Sequence, residues 1–401
     1  MNRPTLPGAS PATPHLFAVL ALLWLGGAAI RIPLLVVPPI MPLIHDDLHM
    51  SETQVGLLIG IPLTMFALAA IPGSLLIAHF GALTIATIGL AVAALASAAR
   101  AGAMDIWTLY AATLLMGLGV AIFQPALPTL VRLWAPTRTW LANAFSINGM
   151  LVGATFSSAL TIPAVLPLVG GSWRLDVLAW SVPGFLAALL FAVAAPRSKA
   201  AEAAAKLLPK RWWPDWSSPT LWLLGITLGT NNALFFASNA FVPDYLTSTG
   251  RGSMIGMTLA CLNGTQIVGS FVMLAMPERL QRGSWPFTVF GPVTLLGLLG
   301  IVFCDGAWIL VSAAAAGLGA AVTFIVTFGL PAVLSPPGEV HRMAGGMFAI
   351  SYTFAVIVPV LCGAAWDLTG LPWTSFLPMA LCAAGLTIFG AALTLRGTHQ
   401  R

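Results

Sequence analysis

The chain has 401 residues, of which 58% are hydrophobic and only 7% are charged, and its net charge is +5. Soluble domains carry about 25% charged residues, so this composition excludes an ordinary soluble protein and indicates one that crosses a membrane many times. So small a positive charge gives no support to nucleic-acid binding, and the expected surrounding is a lipid bilayer.

Twelve apolar runs, each long enough to cross a bilayer as a helix of about 20 residues, follow one another along the chain. The first run is too long for the apolar core of a signal peptide, so we expect it to remain as the first span. The pattern predicts an all-α membrane protein. The predicted spans are 16–44, 53–78, 82–101, 106–131, 139–168, 174–195, 219–245, 254–276, 285–304, 307–333, 343–365 and 371–395.

The only long polar interruption, residues 197–218, leaves six spans on each side. We therefore predict an N-terminal six-helix bundle over 1–196, a cytoplasmic linker loop over 197–218 and a C-terminal six-helix bundle over 219–401. Most Lys and Arg residues fall in the tails, the linker and the loops on the same side. Because positively charged loops stay in the cytoplasm, both termini and the linker are expected to be cytoplasmic.

Arg31 stands near the middle of the first span, where an arginine costs roughly 2.5–3.5 kcal/mol on insertion scales. All acidic and histidine residues fall at span ends, in loops or in tails. Arg31 is therefore predicted to be the only ionisable residue deep in the membrane, with no carboxylate available to pair with it. We expect its counter-charge to arrive with a bound ligand.

The two halves repeat each other at an offset of about 200 residues, as Asp105 and Asp305 or Gly117 and Gly317 show. Because each half has an even number of spans, both halves begin on the same side of the membrane. The duplication is therefore parallel, about an axis normal to the membrane. The register places Arg31 opposite Asn232. A shared pocket would thus have one cationic wall and one wall of neutral amides.

The first span, RIPLLVVPPIMPLI, and the fourth, GLGVAIFQPALPTLV, stand within a chain of twelve spans, a basic central loop and duplicated halves. This whole-chain pattern resembles the major facilitator superfamily, and the two spans resemble its branch of cyanate and 2-nitroimidazole transporters. The loop SLLIAHFGA after the second span departs from the superfamily, because the usual acidic residue is missing. The resemblance implies a fold of two pseudo-symmetric six-helix bundles with a substrate cavity between them. The expected substrate-binding residues are Arg31, Gln124, Asn148, Asn232, Asn263, Gln266 and Tyr352.

The expected function is transport by alternating access of a small organic anion or polar heteroaromatic molecule across the inner (plasma) membrane. An arginine stays charged and offers a planar fork to carboxylate-like, cyanate or nitro oxygens. Proton symport relies on a buried acid or histidine, and none is predicted, so export, facilitated flux or exchange is expected. No metal, cofactor or nucleic acid is expected, and the chain is expected to be a monomer.

Other interpretations stay open at this point. Efflux of neutral drugs would give Arg31 a structural or gating role, and a membrane-embedded enzyme or sensor is a third class. No HExxH motif, carboxylate pair or Ser/His/Asp set falls at membrane depth, so no catalytic residue is expected. Each amide could instead hold helices together, Tyr352 could be a packing residue, and Gly117 could serve close helix approach.

Overall fold

The structure, a computed structural model, describes residues 13–50, 52–196, 212–277, 283–336 and 339–399. Twelve helices in these residues are long and apolar enough to span a membrane, which confirms the predicted all-α fold. Most of the basic linker, residues 197–211, lies outside the described residues. The helices are α1 (Thr13–Leu35), α2 (Val37–Leu48), α3 (Glu52–Phe80), α4 (Ala82–Arg100), α5 (Ile106–Trp134), α6 (Thr139–Leu160), α7 (Trp173–Val193), α8 (Pro219–Ser248), α9 (Ile255–Ala275), α10 (Trp285–Phe303), α11 (Ala307–Leu334), α12 (Val340–Thr369) and α13 (Phe376–His399).

The first span is broken in two at Val36, where α1 ends and α2 begins. Pro38 is near the start of α2 and lacks the N–H that a continuous helix would direct at the Leu34 carbonyl. The break therefore follows from the run of prolines in this span. It lies five residues beyond Arg31 in the chain.

The two halves share a contact built on glycine. A Cβ on Gly117 of α5 would lie 3.1 Å from the Pro62 Cα of α3, and one on Gly317 of α11 would overlap the Leu262 carbonyl of α9. Gly317 follows Gly117 by 200 residues, and Leu262 likewise follows Pro62 by 200 residues. The same helix crossing thus occurs in both halves, and these glycines serve close helix approach.

Gly149 of α6 provides a direct test of the packing between α1 and α6. A Cβ at Gly149 would overlap the backbone carbonyl of Trp24, which has no freedom to move aside. We expect Gly149→Ala to cost about 1–3 kcal/mol through overpacking and to lower the thermal unfolding midpoint of the purified protein. Gly60 of α3 has open space around the same position, so Gly60→Ala is the control and should unfold at or above the wild-type midpoint. Equal midpoints for the two variants would contradict this packing.

The two halves meet mainly through α3, α5 and α6 on one side and α9, α11 and α12 on the other. The Asn143 amide of α6 donates to the Ile325 carbonyl of α11 at 2.9 Å. Arg132 at the end of α5 donates to the Ser335 carbonyl just beyond α11. We call the end of the molecule that carries Arg132 and Ser335 the linker end, because residues 212–218 also pack there, and the opposite end the far end. These hydrogen bonds between the halves lie toward the linker end, so the molecule is closed at the linker end.

Candidate functional site

Arg31 lies on α1, is half-buried, and makes no hydrogen bond or ion pair with any residue that the structure describes. Trp24 is seven residues earlier in the same helix, and residues seven apart share one helix face. Since the Trp24 side chain is bonded at the contact between the halves, Arg31 faces the gap between them as well. No carboxylate among the described residues forms an ion pair with this guanidinium.

A hydrogen-bonded chain crosses between the halves below Arg31. The Trp24 Nε1 donates to the Asn148 Oδ1 at 2.8 Å, and the Asn148 Nδ2 donates to the Ser270 Oγ at 2.7 Å. Asn148 is 3% exposed, so its amide bonds are made inside the protein. Arg31 lies about 10 Å further along the helix axis toward the far end. Arg31 is thus displaced from this hydrogen-bonded chain toward the far end.

Sequence analysis singled out neither Trp24 nor Ser270 as a candidate site residue. The spacing of seven residues between Trp24 and Arg31 was a usable signal for a shared face. Ser270 offered no comparable signal, because its role depends on how two helices from different halves meet.

Aromatic rings form a second contact between the halves at mid-height. The ring of Phe66 on α3 packs edge-on against the ring of Tyr352 on α12, with centroids 4.9 Å apart, and Phe348 follows at 6.3 Å from Tyr352. Tyr352 is 2% exposed, and its hydroxyl makes no hydrogen bond within the described part of the chain. The Tyr352 ring therefore packs at the contact between the halves, while no described residue hydrogen-bonds its hydroxyl group.

The amides of the second half form two separate groups. The Asn232 Nδ2 on α8 donates to the Ser351 Oγ on α12 at 2.8 Å, and Asn232 is 5% exposed. The Gln266 Nε2 donates to the Asn263 Oδ1 at 3.2 Å, and the Asn263 Nδ2 donates to the Asn239 Oδ1 at 2.8 Å. Asn239 was missed by sequence reasoning, although its spacing of seven from Asn232 could have identified it.

Gln124 on α5 differs from the other predicted amides because no described residue hydrogen-bonds its Nε2. It is 2% exposed, and its Nε2 makes no hydrogen bond within the described residues. A buried donor without an acceptor costs about 1–3 kcal/mol. Because the Gln124 amide is already removed from water, it can donate to an acceptor on a ligand with little further loss of solvation free energy.

Two ionisable residues at span ends, Arg100 and Asp176, are buried in the protein more completely than Arg31. Arg100 at the end of α4 is 2% exposed, and its Nη2 donates to the Pro33 carbonyl and to the Ser97 Oγ, each at 2.8 Å. Asp176 on α7 is 0% exposed. Hydropathy places both residues at span ends, but it does not give side-chain direction, and the Arg100 side chain folds back into the bundle.

Exposed ion pairs at the far end join residues that hydropathy had assigned to the same side. The Arg174 Nη1 lies 2.6 Å from the Asp47 Oδ2, and the Arg251 Nη1 lies 3.2 Å from the Asp305 Oδ1. The hydrogen bond from Arg174 lowers the pKa of Asp47 below its ordinary value of 3.8. None of these acids is placed to neutralise Arg31.

Known proteins are similar to this chain over most of its length. A family model described as "Major Facilitator Superfamily" matches residues 23–303. The cyanate transport protein of Escherichia coli is 24% identical over 94% of this chain and 96% of its own length. The 2-nitroimidazole transporter of Escherichia coli is 26% identical over 88% of this chain and 89% of its own length.

Among solved structures, the fucose:proton symporter of Escherichia coli superposes with a TM-score of 0.71 at 15% identity, over 95% of this chain and 98% of that chain. At this identity the likeness establishes the fold alone. It agrees with the twelve-span architecture and its duplicated halves.

Proposed function

Because the chain belongs to the major facilitator superfamily and is a multi-pass membrane transporter, we propose that it moves a small organic anion or polar heteroaromatic molecule, with Arg31 as the anchor. The observation that carries this proposal is the half-buried Arg31 guanidinium, which no described residue pairs or hydrogen-bonds. Two relatives are transporters of cyanate and of 2-nitroimidazole, both small molecules rich in hydrogen-bond acceptors. The planar nitro group matches the fork of an arginine, and the charged cyanate ion accepts hydrogen bonds from it at one end.

The energetics of a partner-free arginine favour an anionic ligand. At about 4 Å and an effective dielectric constant near 20, one anion gains roughly 4 kcal/mol of Coulomb energy before desolvation is subtracted. A neutral acceptor gains only the hydrogen bonds. Arg31 would therefore select for charge or for strong acceptor groups.

Amides and a hydroxyl from both halves would select for shape. We propose that the Gln124 Nε2 and the Tyr352 hydroxyl bind substrate directly, since both lack partners in the described residues. Asn148, Asn232, Asn263 and Gln266 are bonded to the protein in this conformation. The amide nitrogens of these four residues would contact substrate only after the halves move and their present hydrogen bonds break.

Alternating access would consist of motion between the proposed bundles, residues 1–196 and 219–401. With both termini cytoplasmic, as the distribution of Lys and Arg favours, the linker end faces the cytoplasm of the inner membrane. The closed linker end then corresponds to an outward-facing conformation. Arg31 lies on the side from which substrate would enter.

A ligand screen tests the substrate class. Thermal unfolding of the purified transporter is followed with cyanate, with small carboxylates, with 2-nitroimidazole and with neutral lipophilic drugs. We expect stabilisation by the anions or by the nitroaromatic molecule, and loss of that stabilisation in Arg31→Ala. Stabilisation by neutral drugs alone, undiminished in Arg31→Ala and not competed by carboxylates, would instead establish neutral efflux with Arg31 in a structural or gating role.

A further inference from the structure

Three amides of the second half form a hydrogen-bonded chain whose direction is fixed. The Asn239 Nδ2 donates to the Phe235 backbone carbonyl at 2.8 Å. Because a carbonyl oxygen can only accept, the Asn239 nitrogen must lie on that side, and its Oδ1 accepts from the Asn263 Nδ2 at 2.8 Å. The Asn263 Oδ1 in turn accepts from the Gln266 Nε2 at 3.2 Å. Each amide thus sets the orientation of the next, and the last amide belongs to Gln266.

The chain of amides leaves one acceptor unused, the Gln266 Oε1. No residue that the structure describes donates to this oxygen, and Gln266 is only 8% exposed. Turning the amide over would not help, because the Gln266 oxygen would then face the Asn263 Oδ1. A buried polar atom without a partner is unfavourable, so the Gln266 Oε1 is available to a donor on a ligand.

Gln266 lies on the face of α9 that meets the first half. Ser270, four residues further along this helix, accepts the hydrogen bond from Asn148 of the first half, and residues four apart share a helix face. Since α9 runs toward the linker end, Gln266 lies about 6 Å from Ser270 toward the far end. Arg31 lies about 10 Å from the same crossing in the same direction. Gln266 and Arg31 thus face the gap from opposite halves, at levels that differ by about 4 Å.

A cavity in the second half adjoins this free acceptor. Gln266 and Asn239 line the cavity together with apolar side chains of α8, α9 and α10, among them Phe235, Leu262 and Leu298. A ligand donor that reaches the Gln266 Oε1 therefore lies beside hydrocarbon. This surrounding favours an N–H on a small, flat ring over a heavily hydroxylated molecule, whose other hydroxyls would lose their bonds to water.

The two halves present opposite hydrogen-bonding groups to the gap. The Arg31 guanidinium has donors only, and Gln124 of the first half adds an Nε2 that no described residue hydrogen-bonds. Gln266 of the second half presents an acceptor. A molecule that satisfies both walls has acceptor atoms at one end and a donor at the other.

We propose that the substrate carries a hydrogen-bond donor, which the Gln266 Oε1 accepts while Arg31 binds the anionic or acceptor end. This inference rests on the transport function proposed above and narrows the substrate class to small N–H heteroaromatic molecules with a nitro, carboxylate or similar group. Gln266 is the specificity-determining residue. Asn239 is a positioning residue that holds the Gln266 amide through Asn263. No hydrogen bond within the protein has to break for this contact.

Three nitroimidazoles test the requirement for a donor. 2-Nitroimidazole has a ring N–H, 1-methyl-2-nitroimidazole has lost it, and 4-methyl-2-nitroimidazole has the extra methyl group but keeps the N–H. Equilibrium binding to the purified transporter is measured in mildly acidic buffer, in which the ring N–H keeps its proton. We expect the N-methyl compound to bind about tenfold more weakly than the C-methyl compound. Equal affinities of the wild type for these two isomers would overturn the proposal without any variant.

Gln266→Met tests the residue, because it removes the acceptor and keeps a side chain of similar length. The affinity ratio between the two methyl isomers should fall from about tenfold to about one, through weaker binding of the C-methyl compound alone. A ratio that stays near tenfold in Gln266→Met would show that another group accepts the N–H and would overturn the role of Gln266.

Asn239→Ala tests the positioning role. Loss of the fixed chain frees the Gln266 amide to turn, so the ratio between the isomers should fall to about threefold. Asn231→Ala is the matched control, because the buried Asn231 amide donates to the Ala320 carbonyl at 2.9 Å and to the Thr323 Oγ1 at 2.7 Å, apart from this chain. A merely structural amide would change the binding of both isomers alike. An unchanged ratio in Asn239→Ala would remove Asn239 from the proposal.

Cyanate separates this inference from the function on which it rests. Because cyanate has acceptor atoms only, its binding should depend on Arg31 and be unchanged in Gln266→Met. If cyanate binds through Arg31 and no nitroimidazole binds, the donor requirement is overturned and the anion site stands. If neither cyanate, small carboxylates nor nitroimidazoles bind, the function proposed above fails, and this inference fails with it.

Discussion

Arg31→Gln is expected to weaken the binding of an anionic substrate about 100-fold, or about 2.7 kcal/mol, because it removes the charge and the paired donors together. Arg31→Lys keeps the charge but loses the planar fork, so a loss of about tenfold is expected. The measurement is the equilibrium binding of the anion that gives the largest stabilisation in the ligand screen. A wild-type affinity in Arg31→Lys would show that the guanidinium does not bind the anion through two hydrogen bonds.

The stability of the empty protein separates a binding role from a structural one. Arg31 is a half-buried cation without a partner in the described residues, so its removal should not destabilise the fold. We expect Arg31→Gln to unfold at or above the wild-type temperature when no ligand is present. Arg138, an exposed residue before α6, is the matched control, and Arg138→Gln should change neither binding nor unfolding. A large loss of stability in Arg31→Gln would assign Arg31 to helix packing.

Gly329→Val is expected to open the linker end. A Cβ at Gly329 of α11 would overlap the side-chain amide of Asn143, which bonds the two halves through the Ile325 carbonyl. An overlap of this kind costs about 1–3 kcal/mol, and the cost applies only while the halves are closed at this end. The balance between the two conformations should therefore shift about 10- to 100-fold toward the linker-open form.

Thiol labelling at Ser74 measures this shift. Ser74 is 0% exposed at the linker end, and its Oγ donates to the Trp212 carbonyl at 2.9 Å. In a background with the native cysteines replaced by alanine, Ser74→Cys should react faster when Gly329→Val is added. Gly264→Val is the control because nothing lies near that position on α9, and Asn143→Ala combined with Gly329→Val should restore slow labelling. Unchanged labelling in Gly329→Val would mean that this contact does not control closure.

Much of the fold could be predicted because membrane insertion requires long apolar helices, and length and hydropathy report these directly. The offset of 200 residues identified the glycine crossings at Gly117 and Gly317, since close helix approach depends on the residue type itself. The burial of Arg100 and Asp176 could not be predicted in this way. Hydropathy placed them correctly at span ends, but burial there depends on the rotamer of each side chain and on the neighbouring helices.

The sequence by itself determined that this protein has twelve apolar spans, duplicated halves and a lone arginine within its first span. These properties follow from composition and periodicity, which act locally along each helix. Only the tertiary structure decided that Trp24, Asn148 and Ser270 join the halves below Arg31, and that Asp176 lies buried without a hydrogen bond to any described residue. Such features depend on which helices meet and at what height, and contacts between residues more than 100 positions apart leave no local trace in the chain.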